Sequence, residues 1–151
     1  MILISHRGNI NGTNPKLENS PDYIEQAFSA GYKVEIDVWY DKCWWLGHDV
    51  PVYKIKKRFL IDNRYKLLIH AKNSAALERL IIEDSLHYFW HENDHFTLTS
   101  EGYALIHVDR PLIKGGICML PELYTSAINI SELKQCAGIC SDQIFQYKLL
   151  C

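Results

Sequence analysis

Apolar positions along this chain fall into short runs of two kinds, separated by polar turns. Residues 2–5 are a strand-length apolar run, and residues 33–39 alternate Val34, Ile36 and Val38 with Glu35 and Asp37. Further strand-like runs follow at 66–69, 87–90, 104–108, 117–120 and 137–140. Helical signals lie between them. Ser20-Pro21 offers an N-cap and a proline at the first helical position, Tyr23, Ile24, Ala27 and Phe28 make an apolar stripe, and Gly31 marks the stop. Ser74 is the expected cap of a second helix carrying Leu77, Leu80 and Ile81. Residues 56–63 suit a short helix or irregular stretch, residues 131–135 suit another helix, and residues 41–42 turn the second strand back into a hairpin arm at 43–46. Seven strands in this alternation predict a parallel sheet.

Each of these runs ends in something polar: His6-Arg7, Glu35 and Asp37, His70 and Lys72, His91-Glu92, Pro121-Glu122, Asp142. In a (β/α) barrel that edge carries the active site. An open doubly wound sheet would instead show a glycine-rich phosphate loop after its first strand, and residues 8–15 lack that spacing. A barrel of ordinary size takes roughly 250 residues, and this chain has 151. The expected fold is therefore α/β, a compact or incomplete TIM-type barrel with shortened helices, occupying residues 1–151 as one domain.

Glu35 and Asp37 change the picture most. One residue apart on a strand, their carboxylates point to the same side while the valines and Ile36 point to the other. Two like charges side by side require a cation, and a divalent metal with oxygen ligands is the simplest. His6, and His48 in the segment Leu46-Gly47-His48-Asp49, add groups that exchange protons near neutral pH. A lone histidine at a strand end is ordinarily structural. In order with Arg7, Glu35 and Asp37, the two histidines instead make the inventory for metal-assisted hydrolysis of a phosphate ester.

Composition narrows the partners. The net charge of −2 and isoelectric point near 6.4 argue against nucleic acid, since the one basic cluster, Lys54 to Arg58, reads as a solvated face. The apolar runs fall short of the ~20 residues that span a bilayer. Five cysteines, an odd number without a CxxC pair, together with a start that lacks a secretory leader pattern, lead to the expectation of a reduced, cytoplasmic setting. His87, His95 and His107 are expected to be structural or at the surface, and the four tryptophans to pack the core and rim.

Taken together, His6-Arg7-Gly8, then Leu17-Glu18-Asn19-Ser20 leading into a helix, then Glu35-Ile36-Asp37-Val38, then Gly47-His48-Asp49 resemble the signature of the glycerophosphodiester phosphodiesterase family, with its order HRG, PENT, E-x-D and HD. The run Gly138-Ile139-Cys140-Ser141-Asp142 is similar to the family's last barrel strand. The likeness is dense over residues 5–49 and sparse afterwards. It implies a metal-dependent phosphodiester hydrolase that cleaves a glycerophosphodiester or a similar small alcohol diester, with one divalent cation (Mg²⁺, Ca²⁺ or Mn²⁺). His6 and His48 would be its acid and base, Arg7 and Lys72 its phosphate contacts, and Glu35, Asp37 and His70 its metal ligands. Glu18 would orient its neighbours.

His70-Ala71-Lys72 is the departure, because the family has a carboxylate where this chain has His70. Either His70 binds the cation, which favours Mn²⁺ or Zn²⁺, or Glu92 supplies the missing oxygen. The segment Trp90 to Asp94 also differs and would reshape the pocket. A catalytically inactive barrel that binds a phosphorylated ligand or a protein partner is the competing expectation, raised by the short chain and by His70.

Overall fold

The computed structural model describes residues 1–150, so Cys151 lies outside the described residues. Ten strands form one mixed sheet: β1 (Ile2–His6), β2 (Lys33–Asp41), β3 (Cys43–Leu46), β4 (Tyr53–Ile55), β5 (Leu67–Ala71), β6 (Tyr88–Phe89), β7 (Phe96–Leu98), β8 (Ala104–Ile106), β9 (Ile117–Met119) and β10 (Gly138–Ser141). Seven of them, in the spatial order β8, β9, β10, β1, β2, β5, β6, pair in parallel. These are the seven strands of the sequence pattern. The hairpin arm β3 returns antiparallel along the end of β2, β4 pairs with β3, and β7 pairs antiparallel with β8. The pattern does not reveal β4 or β7: β4 is three residues with no fully buried position, and in β7 the apolar Phe96 and Leu98 are exposed while the polar Thr97 is buried.

The helices are short: α1 (Pro21–Ser29), α2 (Lys57–Asp62), α3 (Ser74–Ile81) and α4 (Ile130–Leu133). Helix α1 begins as its sequence predicts, with the Ser20 side chain accepting from Tyr23 N and proline in the first turn. The cap of α3 is Asn73 rather than Ser74. The Asn73 side-chain oxygen accepts from Ala76 N at 3.0 Å, and Ser74 is already the first helical residue. Asn73 also donates to the carbonyl of Tyr40 at the end of β2, so one amide both starts α3 and ties it to the sheet.

Register explains where the polar strand ends go. Ile4 stands beside Cys140 and Lys33, His6 beside Glu35, Glu35 beside Leu68, Asp37 beside His70, His70 beside Phe89, and Met119 beside Cys140. Because side chains alternate faces, these residues share one side of the sheet. On that side Ile4, Leu68, Phe89, Leu105, Ile117, Met119 and Cys140, from six strands, pack into one cluster, which requires the sheet to curl around it. The opposite face packs Val34, Ile36, Val38 and Ile69 against Ile24, Phe28, Ala76 and Leu80 of α1 and α3. The sheet is open, with no ladder between β6 and β7 or β8 among the described residues. Just past β7, Ser100 N donates to Tyr88 O of β6 at 2.8 Å and joins the two edges.

Outside the core the sequence expectations are simple to place. Arg58 meets Asp62 and Lys57 meets Glu83 at the surface, so the basic cluster is a solvated face. Cys43, Cys118, Cys136 and Cys140 are free thiols. No helix among the described residues is long and apolar enough to cross a membrane.

Candidate functional site

His6, at the end of β1, is 8% exposed, and its ring is fixed by a carboxylate from the far end of the chain. Its Nδ1 lies 2.8 Å from Asp142 Oδ1, just after β10, and its Nε2 lies 3.8 Å from Glu35 Oε2. Asp142 is held in turn. Its backbone N donates to Glu122 Oε1 at 2.7 Å, Ser141 Oγ donates to Glu122 Oε2 at 2.8 Å, and Asn9 Nδ2 donates to Asp142 Oδ1 at 2.7 Å. Burial works against a charged His6, but the Asp142 hydrogen bond and the Glu35 charge outweigh it and raise its pKa.

Arg7 takes a left-handed backbone, φ 54°, and Gly8 follows at φ 93°. A Cβ at Gly8 would come within 2.7 Å of the Tyr23 ring, so only glycine lets this turn pass beside α1. The turn aims the guanidinium at two carboxylates: Nη1 donates to Glu18 Oε2 at 3.2 Å, and Nε lies 3.0 Å from Asp37 Oδ2. Glu18 also accepts from Asn9 at 2.9 Å, so it orients both Arg7 and Asn9.

The two carboxylates of β2 sit in opposite circumstances. Asp37 Oδ2 accepts from Asn19 Nδ2 at 2.9 Å, its Oδ1 lies 3.1 Å from His70 Nδ1 and 3.6 Å from Lys72 Nζ, and its backbone N donates to Asn19 Oδ1. Burial pushes its pKa up, yet the His70 hydrogen bond and the charges of Arg7, His70 and Lys72 hold it far below the usual carboxylate range. Glu35, 2% exposed, has an Oε2 with no hydrogen-bond partner. Burial and the neighbouring Asp37 charge raise its pKa.

Glu35, Asp37 and His70 each offer one ligand atom within 4.8 Å of the others, a set able to hold a metal ion. Two observations fit a cation there. A buried, unpartnered carboxylate oxygen is costly unless something positive meets it. His70 Nε2 lies 3.3 Å from the backbone carbonyl of His91. Its Nδ1 faces the two carboxylates, 3.1 Å from Asp37 Oδ1 and 4.0 Å from Glu35 Oε1, and an imidazole held by a carbonyl behind it is the usual arrangement of a metal-bound histidine. Glu92 lines the same cleft, is exposed, and is not part of this set.

The cleft, about 300 Å³, is lined by His6, Arg7, Glu35, His48, His70 and Lys72, with Phe89, His91, Glu92 and His107 across from them. The residues singled out from the sequence are thus brought together, Asp37 being buried beneath Arg7, His70 and Lys72. His48 is the most open of them, its side chain 39% exposed and its Nδ1 2.7 Å from Asp49 Oδ1, and burial lowers its pKa.

His107, expected to be structural or at the surface, lines the cleft, its ring stacked 3.8 Å from that of His91 with planes 15° apart. Thr97 Oγ1 lies 2.9 Å from His107 Nε2 and 3.4 Å from His91 Nδ1. Burial and the adjacent His91 push the His107 pKa down to about 4. Sequence reasoning also passed over Asn9, which is fully buried with both amide hydrogens on carboxylates. The signal available for Asn9 is weak: a polar residue directly after His-Arg-Gly.

Compared with protein-family profiles, with curated proteins and with solved structures, the chain finds no match.

Proposed function

We propose that this chain is a metal-dependent phosphodiester hydrolase of the glycerophosphodiester phosphodiesterase type, built on a compact TIM-type barrel. The observation that carries the reading is the convergence of two imidazoles, two cationic side chains and a three-atom ligand set on one cleft, at the ends of parallel strands. The apolar cluster drawn from six strands supports the barrel. A divalent cation held by Glu35, Asp37 and His70 supplies Lewis-acid polarisation of a phosphoryl oxygen when bound.

The chain's own residues do the rest. Asp142 holds His6 through Nδ1 and leaves Nε2 to exchange a proton in the cleft. His48, on its open loop, serves as the second proton-exchanging group. As a hydroxyl oxygen bonds to phosphorus, one imidazole takes the hydroxyl proton, while the other returns a proton to the alcohol whose P–O bond breaks. Arg7 and Lys72 offset charge on the phosphate oxygens. The nitrogen in the ligand set favours Mn²⁺ or Zn²⁺ over Ca²⁺.

Release of p-nitrophenol from bis-p-nitrophenyl phosphate, with and without divalent ions, tests the reading. His6→Ala and His48→Ala are each expected to lower kcat by about 10²-fold or more with the fold intact. Replacing Glu35 and Asp37 together with alanine is expected to abolish stabilisation by metal in a thermal melt. Near-normal turnover in either histidine variant removes that residue from the mechanism. Phosphate-ester binding without any turnover would leave the inactive barrel as the reading.

A further inference from the structure

The two histidines assigned to proton exchange are held very differently. His6 ends a parallel strand, and its partner Asp142, with a side chain 10% exposed, is itself fixed by Glu122 and Asn9. His48 lies beyond the end of β3, and its partner is Asp49, the next residue, whose side chain is 89% exposed. A solvated neighbour moves with the loop that carries both groups, so the Asp49 contact cannot fix His48 against β2. An acid or base must nonetheless come within hydrogen-bond reach of the reacting oxygen.

What ties His48 to β2 is the peptide in front of it. Strand β3 runs antiparallel to β2, and its ladder ends where Gly47 N donates to Asp37 O at 3.2 Å. Gly47 is buried and turns at φ 147°, where a Cβ would lie 2.2 Å from the Val50 carbonyl oxygen, so only glycine passes. Val52 N donates to Leu46 O at 2.9 Å, which closes the loop on itself without tying it to β2. The Gly47 carbonyl accepts from the indole Nε1 of Trp39 at 2.6 Å. That carbonyl and the His48 amide belong to one planar peptide, so a donor on the oxygen sets the direction in which His48 leaves the turn. Trp39 stands two residues beyond Asp37 on the same face of β2, opposite Trp45. It does not line the cleft, so its reach to the reaction runs through Gly47 and His48.

We propose that Trp39 is a positioning residue for His48: by gripping the Gly47 carbonyl, its indole N–H ties the turn that carries His48 to the strand that carries Glu35 and Asp37. This rests on the phosphodiesterase reading, in which His48 exchanges a proton, and adds what holds that imidazole in place. Displacing a reacting group by about 1 Å costs about 10²-fold in rate. Substrate binding through Arg7 and Lys72 does not depend on the turn. The signature is a loss in kcat with KM kept.

Trp39→Phe keeps an aromatic ring and removes the donor. With bis-p-nitrophenyl phosphate and Mn²⁺ it is expected to lower kcat by about tenfold or more while KM stays within about twofold of the parent. Trp45→Phe, the cross-strand neighbour, is expected to leave both unchanged. In a His48→Ala background, Trp39→Phe is expected to cost no further kcat, because no imidazole is left to position. Benzothienylalanine at position 39, with sulfur in place of the N–H, repeats the loss in a ring of the same shape and serves if the phenylalanine variant folds poorly. Parent kcat in these variants, or equal losses with and without His48, overturns the proposal. Solution NMR of the metal-free protein reads the tie without turnover. The backbone order parameter of His48 is expected to fall from about 0.85 to below about 0.6 in Trp39→Phe and to hold in Trp45→Phe. That fall in a protein with no turnover keeps the tie and rejects the hydrolase. Turnover with His48 equally ordered in parent and Trp39→Phe does the reverse.

Discussion

On the side of the cleft formed by β1, β2 and β5, charge meets charge: Arg7 with Glu18 and Asp37, His6 with Asp142, His70 and Lys72 with Asp37. On the side formed by the ends of β6 and β8, His91 and His107 stack ring on ring, bridged by Thr97, and burial lowers the pKa of both. The first side is organised by opposite charges at short range and the second by stacking and neutrality. The difference teaches how one small cleft divides its tasks. The charged side is suited to a phosphate and a cation, and the neutral side presents donors and acceptors to an uncharged polar group without competing for either. Glu35 belongs to the first side by position but is less fully compensated, its Oε2 buried without a hydrogen bond and His6 Nε2 standing 3.8 Å away. A buried carboxylate oxygen left without a hydrogen bond costs the metal-free fold stability.

The largest effect that would break this contrast is at Asp37. Asp37→Ala leaves Arg7, His70 and Lys72 without their shared counter-charge, and is expected to destabilise the metal-free protein by about 3–5 kcal/mol in urea unfolding at pH 7. Glu35→Gln should move the other way. Because the folded-state pKa of Glu35 is raised, its ionised form at pH 7 opposes folding, and the amide removes that opposition. Equal losses in the two variants would mean that both carboxylates are compensated alike.

A middle-sized effect concerns the ligand nitrogen. His70→Ala is expected to weaken Mn²⁺ binding by about 10–100-fold, and His70→Glu to shift preference toward Mg²⁺ or Ca²⁺. Titrations of the parent and His70→Ala that give the same affinities and the same ion ranking would take His70 out of the site and leave Glu92 as the third ligand.

The smallest effect sharpens the neutral side. With its folded-state pKa near 4, below the ordinary value of 6.5, His107 takes up a proton more readily when unfolded. Its contribution to stability is therefore complete above about pH 6.5 and lost as the pH falls toward 4. His107→Gln should flatten that part of the stability profile, read by urea midpoints from pH 7 to 4. An unchanged slope would place the titration elsewhere.

How much of this was legible follows residue type. The seven parallel strands and the start of α1 could be read because apolar runs, a serine cap and an adjacent proline are local signals. Strand β4 escaped because three residues without a fully buried position carry almost no period, and β7 because its polar Thr97 is buried between the exposed Phe96 and Leu98, the reverse of the usual pattern. The cap at Asn73 was displaced by one position because asparagine and serine both cap well and stand side by side. His107, between Ile106 and Val108, reads as part of an apolar strand and shows its place in the cleft only once β8 is set beside β9 and the sheet curls.

Covalent geometry alone placed Glu35 and Asp37 on one face of β2 with Val34, Ile36 and Val38 on the other, because the period of a strand is two whatever surrounds it. Nothing local determines which carboxylate keeps a bare oxygen, which nitrogen of His70 faces the pair, or that Asp142 meets His6 across 136 residues of sequence. Those outcomes depend on sheet order and curvature, since a hydrogen-bond partner is chosen by position in space and the chain reaches that position only after the strands have assembled.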